Sequence, residues 1–315
     1  MIVATSYLEE IIKETYKEIK EHLNEEGIKV DPKANLEIIK KEINPTNLDN
    51  LISSFIIELG KFLTLPKELK AYAHIKSNIY SSLKSYNVPP SALYVPSINT
   101  IYVYLPRVLN NLPCLIDAKN NLEKESLDNV VKKICFHNRT SKTSKTLSPF
   151  YDVSAEILIT PTTKNLSSDE EIIKKYFIRI MSHEIIHTLN RSLNLPKYIN
   201  EYIASVLETL LYFKLNLRDN NKLDKKIYEI LYTYNPHYKT LNSTKLSYKN
   251  TEDIKSQKEL IEILEGLMKK DPYSLGRYTG YYILEKYGPE NIRIKDIYEK
   301  LISNRYYFLK EYLKQ

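Results

Sequence analysis

Residues 168–190 run Ser168-Asp-Glu-Glu-Ile-Ile-Lys-Lys-Tyr-Phe-Ile-Arg-Ile-Met-Ser-His183-Glu184-Ile-Ile-His187-Thr-Leu-Asn190. Ser168 followed by Glu171 has the form of a capping box, with the serine at the N-cap and the glutamate at N3. Ile172, Tyr176, Phe177, Ile180 and Met181 then recur at helical spacing, which predicts one helix continuing to about Leu189. The loop from Asn190 to Leu195 leads to Pro196, and a second long helix is expected from there to about Leu217.

The second half of the first helix holds His183-Glu184-Ile185-Ile186-His187. Residues four apart share a helical face, so both imidazoles can converge on one ion. Zn²⁺ suits them, because it accepts imidazole nitrogen and tolerates an open fourth position. Glu184 is turned about 100° from His183 around the helix. It can stand beside a metal without ligating it, where a general base acting on water belongs.

Two histidines do not complete a site. The next histidine is His237, and the Gly and His that would extend the motif in metzincins are absent after His187. Two carboxylates on the second helix are candidates, Glu201 near its start and Glu208 two turns on. With Ser205 they form a polar face, opposite an apolar stripe of Tyr202, Ile203, Val206, Leu210 and Leu211. On spacing alone, either glutamate can be the third ligand.

The segment His183 to Leu195, followed by Lys197-Tyr198-Ile199-Asn200-Glu201-Tyr202-Ile203-Ala204, resembles the gluzincin metallopeptidases. In that group the HExxH helix is followed by an Asn-Glu element whose glutamate is the third zinc ligand. Asn200-Glu201-x-x-Ala204 matches it, so the resemblance gives the ligand role to Glu201 and leaves Glu208 a place behind the ligands. The short separation is similar to the compact peptidase MA-like branch.

The resemblance extends over roughly residues 92 to 302. It implies a zinc-dependent peptidase with one Zn²⁺ on His183, His187 and Glu201, and Glu184 as general base and acid. It places the segment Val153 to Thr160 as the strand bordering a substrate cleft. Asp271 to Gly280, continuing to Pro289, is similar to a downstream helix that often aims a tyrosine at the tetrahedral intermediate; Tyr273 or Tyr278 fits that role. Tyr202 stands where these families usually have glycine, and no Gly-x-Met-Glu-Asn precedes the helix, so aminopeptidase specificity has no support.

The rest of the chain reads as α+β, mainly α. Residues 1–88 form a helical N-terminal region, and 89–315 a zincin-like domain with a small sheet, an active-site helix and a helical C-terminal subdomain. Leu8, Ile11, Ile12, Tyr16 and Ile19 have helical spacing, and the pattern continues through Asn35–Ile43, Leu48–Leu63 and Pro66–Tyr86. Ala92–Val95 and Thr100–Leu105 read as short strands, Leu122–Phe136 as a helix and Val153–Thr160 as a strand. Beyond Asp219 helices are expected, with breaks near Pro236, Asp271-Pro272 and Gly288-Pro289.

The 315 residues are 43% hydrophobic with only six glycines, which excludes wholesale disorder and collagen-like architecture. Two cysteines exclude a disulfide scaffold. Cys114, Cys135 and His137 lack a fourth ligand for a metal site, so the thiols read as inert. The net charge of +7 is spread over lysine pairs among acids, and the one basic stretch, 137–145, reads as a loop. No nucleic-acid partner is therefore expected. The best apolar run, Leu51 to Leu65, is interrupted by Glu58 and Lys61, and the N-terminus lacks the regions of a signal peptide. A cytoplasmic enzyme with a peptide or protein substrate and no membrane partner is the expectation, with substrate preference and oligomeric state open. The alternative is a non-catalytic metal-bearing binding or regulatory protein.

Overall fold

A computed structural model describes residues 5–40, 91–122, 124–126, 129, 156–160, 168–217, 225–248 and 254–314. Helix α1 (Thr5–Glu25) buries Leu8, Ile12, Thr15, Ile19 and Leu23, a stripe recurring every three or four residues. Strand β1 (Asn35–Ile39) runs parallel to β3 (Thr100–Tyr104), with Asn35 opposite Thr100, and β2 (Ala92–Val95) pairs antiparallel to β3. The sheet order is β1-β3-β2, so β2 is an edge. A 3₁₀ turn at Pro96–Ile98 and left-handed Asn99 (φ 49°) reverse the chain between β2 and β3, and Asn is among the few residues that tolerate that conformation.

Helix α2 (Leu105–Asn121) follows β3 directly, opening at Leu105-Pro106. Helix α3 (Ser168–Asn190) lies at the centre of the molecule, packed against α1, α2, β2 and α4 (Lys197–Asn216). The remaining helices are α5 (Lys225–Tyr234), α6 (Tyr238–Tyr248), α7 (Ile254–Lys270), α8 (Pro272–Tyr287), α9 (Ile294–Ser303) and α10 (Tyr307–Lys314). The described part is mostly helical with one three-stranded sheet, an α+β fold that is mainly α. None of the described helices is long and apolar enough to cross a membrane.

Two elements differ from their sequence reading. Asn35–Ile39 is a strand rather than the start of a helix. Over five residues the helical and extended periods are hard to separate, and pairing along β3 supplies this segment's main-chain partners. The described part of Val153–Thr160 is helical at 156–159, so no strand borders a cleft there. Glu156, Ile157, Leu158 and Thr160 are all buried, and a segment buried on every side carries no alternation by which a strand could be recognised. The helices expected at Leu48–Leu63 and Pro66–Tyr86, most of that at Leu122–Phe136, and the basic stretch 137–145 lie outside the described residues.

Helix α4 is buried continuously from Tyr202 to Phe213, between α3 on one side and α8 on the other. Gly276 and Gly280 allow that packing. A Cβ on Gly276 would stand 2.6 Å from the Tyr202 carbonyl oxygen and the Ser205 Cβ, and one on Gly280 2.7 Å from the Thr209 Cβ. No side chain fits there, so α8 rests backbone-close against the helix bearing Glu201 and Glu208. Elements on both sides of residue 88 meet: β1 joins the sheet of β2 and β3, and the buried face of α1 belongs to the same core as α3 and α4.

Candidate metal centre

His183 and His187 sit one turn apart on α3, their ring centroids 4.7 Å apart and their planes nearly perpendicular. Helix α4 crosses so that Glu201 reaches both. The His183 Nε2, the His187 Nε2 and the Glu201 Oε2 form a triangle with sides of 3.1, 3.1 and 3.2 Å. Three ligands of a tetrahedral Zn²⁺ with bonds of ~2.0–2.1 Å lie about 3.3–3.4 Å from one another. The triangle thus has nearly the size of one face of a zinc coordination sphere. The sequence-derived ligands His183, His187 and Glu201 are brought together, and together they could hold a metal ion.

Glu208 does not join the triangle. It stands behind His183, its Oε2 2.7 Å from the ring Nδ1. A carboxylate there accepts from Nδ1–H, so Nε2 is the ring atom that faces Glu201 and would be the one to meet a metal ion. Burial would push the His183 imidazole below its usual pKa, but the Glu208 and Glu201 carboxylates outweigh it and hold the group up at about 10. His187 is raised too, with Glu201 overcoming its burial. Burial would raise Glu201 itself, but the two imidazoles hold it well below the usual carboxylate range.

Glu184 is buried on the sheet side of α3 and is not one of the converging donors. Its Oε2 accepts a hydrogen bond of 2.5 Å from the backbone N–H of Tyr94 on the edge strand β2. Burial raises its carboxyl, opposed chiefly by the nearby histidines. Tyr94 is itself fastened, its hydroxyl donating to the Asn99 side chain at 2.8 Å and Asn99 donating to Asp31 at 2.8 Å.

The two tyrosine candidates separate clearly. Tyr273, in the first turn of α8, stacks on His183 with ring centroids 5.7 Å apart and hydrogen-bonds Glu201. Asp271 caps that helix, accepting from the Ser274 amide at 3.1 Å. Tyr278 is a core residue, donating to the Tyr312 hydroxyl at 2.7 Å and packed against Tyr232, so it has no part in the centre. Cys114 lies partly buried on α2, while Cys135 and His137 fall outside the described residues.

The pattern reading passed over a second set of residues. Glu171, Lys175, Arg179, His183 and His187 follow one another at intervals of four along α3, on the face toward α4 and the 156–160 turn. Lys175 pairs with Glu171 and donates to the Thr160 carbonyl at 2.5 Å, so Glu171 is turned along the helix rather than back to the cap. Arg179 is about 1% exposed and sits between two carboxylates, Nη2 2.6 Å from Glu156 and Nε 2.9 Å from Glu208. The five-member spacing was visible in the sequence. The Tyr94 amide, a backbone group, had no sequence signal.

No protein-family model matches the chain, and comparison with curated proteins and with solved structures returns no match.

Proposed function

We propose that the protein is a zinc-dependent metallopeptidase of gluzincin type, built on a zincin-like arrangement of helix α3, helix α4 and edge strand β2. The observation that carries this reading is the triangle of His183, His187 and Glu201 donor atoms with Glu184 buried beside it. The donor set fits zinc in kind and in spacing, and the Glu208 carboxylate beside Nδ1 favours the tautomer that would ligate through Nε2.

When bound, the ion would supply Lewis acidity, polarising a peptide carbonyl and lowering the pKa of water towards ~7. Glu184 takes the proton of the attacking water on its carboxylate and delivers it to the nitrogen of the departing amine. The Tyr94 amide fixes that carboxylate in direction while leaving its second oxygen for the proton. Tyr273, lying over His183, offers a phenol donor to the oxygen that gains charge as the carbonyl is attacked. A closed, structural metal centre would need a fourth protein donor, and among the described residues three converge. The cytoplasmic setting expected from the sequence belongs to the same proposal.

A peptide-library digest with wild type and Glu184→Gln tests the reading. Wild type with zinc should cleave peptides, and the variant should bind zinc equally while its rate falls by ~10²–10⁴. A variant that binds zinc and cleaves at the wild-type rate rules out Glu184 as the proton carrier.

A further inference from the structure

We propose that Arg179 is a positioning residue of the metal centre, orienting the Glu208 carboxylate so that His183 presents its Nε2 lone pair to the ion. The inference rests on the metal reading given above and assigns a role to a residue that touches neither metal nor substrate.

Glu208 faces two partners at once. Its Oε1 lies 2.9 Å from the Arg179 Nε, and its Oε2 lies 2.7 Å from the His183 Nδ1. The guanidinium is held from behind by Glu156, 2.6 Å away, and its Nη1 donates to the Thr209 hydroxyl at 3.2 Å. Arg179, Glu156 and Glu208 are all nearly inaccessible to solvent. Tyr281 donates to Glu156 at 3.3 Å, and Arg277 adds positive charge near Glu208 from the α8 side. A chain of alternating charges therefore runs from the 156–160 turn through α3 to α4 and returns to α3 at the first ligand.

An arginine can only donate. Whatever group of residue 208 faces it must accept, and what remains faces His183. With a carboxylate both ends accept, so His183 carries its proton on Nδ1. With an amide, the single oxygen is drawn to the guanidinium and the NH₂ is turned to His183. The ring must then accept at Nδ1 and carry its proton on Nε2, where the ion should bind. If Glu208 mattered only as a local acceptor for His183, the amide would turn its oxygen to the ring and serve nearly as well.

The test is the zinc dissociation constant of the full chain, by competition with a chromophoric chelator, alongside the melting temperature. Glu208→Gln should weaken zinc binding by about 10–100-fold, as much as Glu208→Ala should. Arg179→Lys, which keeps the charge but cannot set one nitrogen against Glu208 and another against Glu156, should also weaken it at least tenfold, and should add little to Glu208→Ala. Glu171→Gln, in the pair one turn upstream of Arg179, should lower the melting temperature while leaving zinc affinity unchanged. Wild-type affinity in Glu208→Gln overturns the proposal. So does wild-type affinity in Arg179→Lys, which decides the matter should Glu208→Gln fail to fold. Absence of zinc binding by the wild-type chain is a separate result and removes the metal reading itself.

Discussion

In the first half of α3, Lys175 meets Glu171 and the Thr160 carbonyl, and Arg179 lies between Glu156 and Glu208. In the second half, on the same face and at the same four-residue interval, two imidazoles and Glu201 direct three donor atoms at one another within 3.2 Å. Upstream, each cation meets a carboxylate of the same chain. Downstream, the partly buried Glu201 and the buried Glu184 flank two imidazoles, with Glu208 shared between Arg179 and His183, and further positive charge must come from protons or from outside. Two imidazolium protons or one divalent ion supply the same charge. On the function proposed above, a polar face serves as scaffold where it is self-complementary and would serve as a receptor where it is short of a cation.

The largest effect that sharpens this contrast is expected from Glu201→Ala. Removing the third donor should abolish both zinc retention and peptide cleavage, while circular dichroism keeps its helical signal. Loss of zinc in Glu208→Ala with retention in Glu201→Ala would exchange the roles of the two glutamates. Lys175→Met should act on the closed half alone. It leaves Glu171 without its buried partner, which costs roughly 3–5 kcal/mol in denaturant unfolding, with one zinc still bound. Tyr273→Phe should lower kcat by about 10² without loss of zinc, since one donor to the developing charge is removed and the ring stays stacked. A Tyr273→Phe variant with unaltered kcat but weakened zinc binding would make the phenol a support for Glu201 instead.

Much of this arrangement could be read from residue order. The helix of 168–190, its paired histidines, the following helix from Pro196 and the strands 92–95 and 100–104 all stand where periodicity put them. Helices with a long amphipathic repeat and a strand pair joined by a short turn are determined locally. What periodicity could not supply was pairing at a distance. The strand Asn35–Ile39 exists because β3 lies beside it, and Glu156 sits on a helical turn that brings it to Arg179 across the core. Either glutamate on α4 satisfied the spacing, and only the crossing of α4 over α3 puts Glu201 against both Nε2 atoms and Glu208 against an Nδ1. Tyr273 and Tyr278 differ by five residues, hence by about 140° beyond one full turn, and α8 turns the first to the centre and the second into the tyrosine core.

The most direct measurement is the zinc content of purified chain, stripped with a chelator, reloaded and dialysed, read by elemental mass spectrometry beside a His183→Ala/His187→Ala variant. One zinc per wild-type chain, with none in the variant, is the predicted result. Zinc no higher in wild type than in dialysis buffer, or equal in the two proteins, would contradict the account.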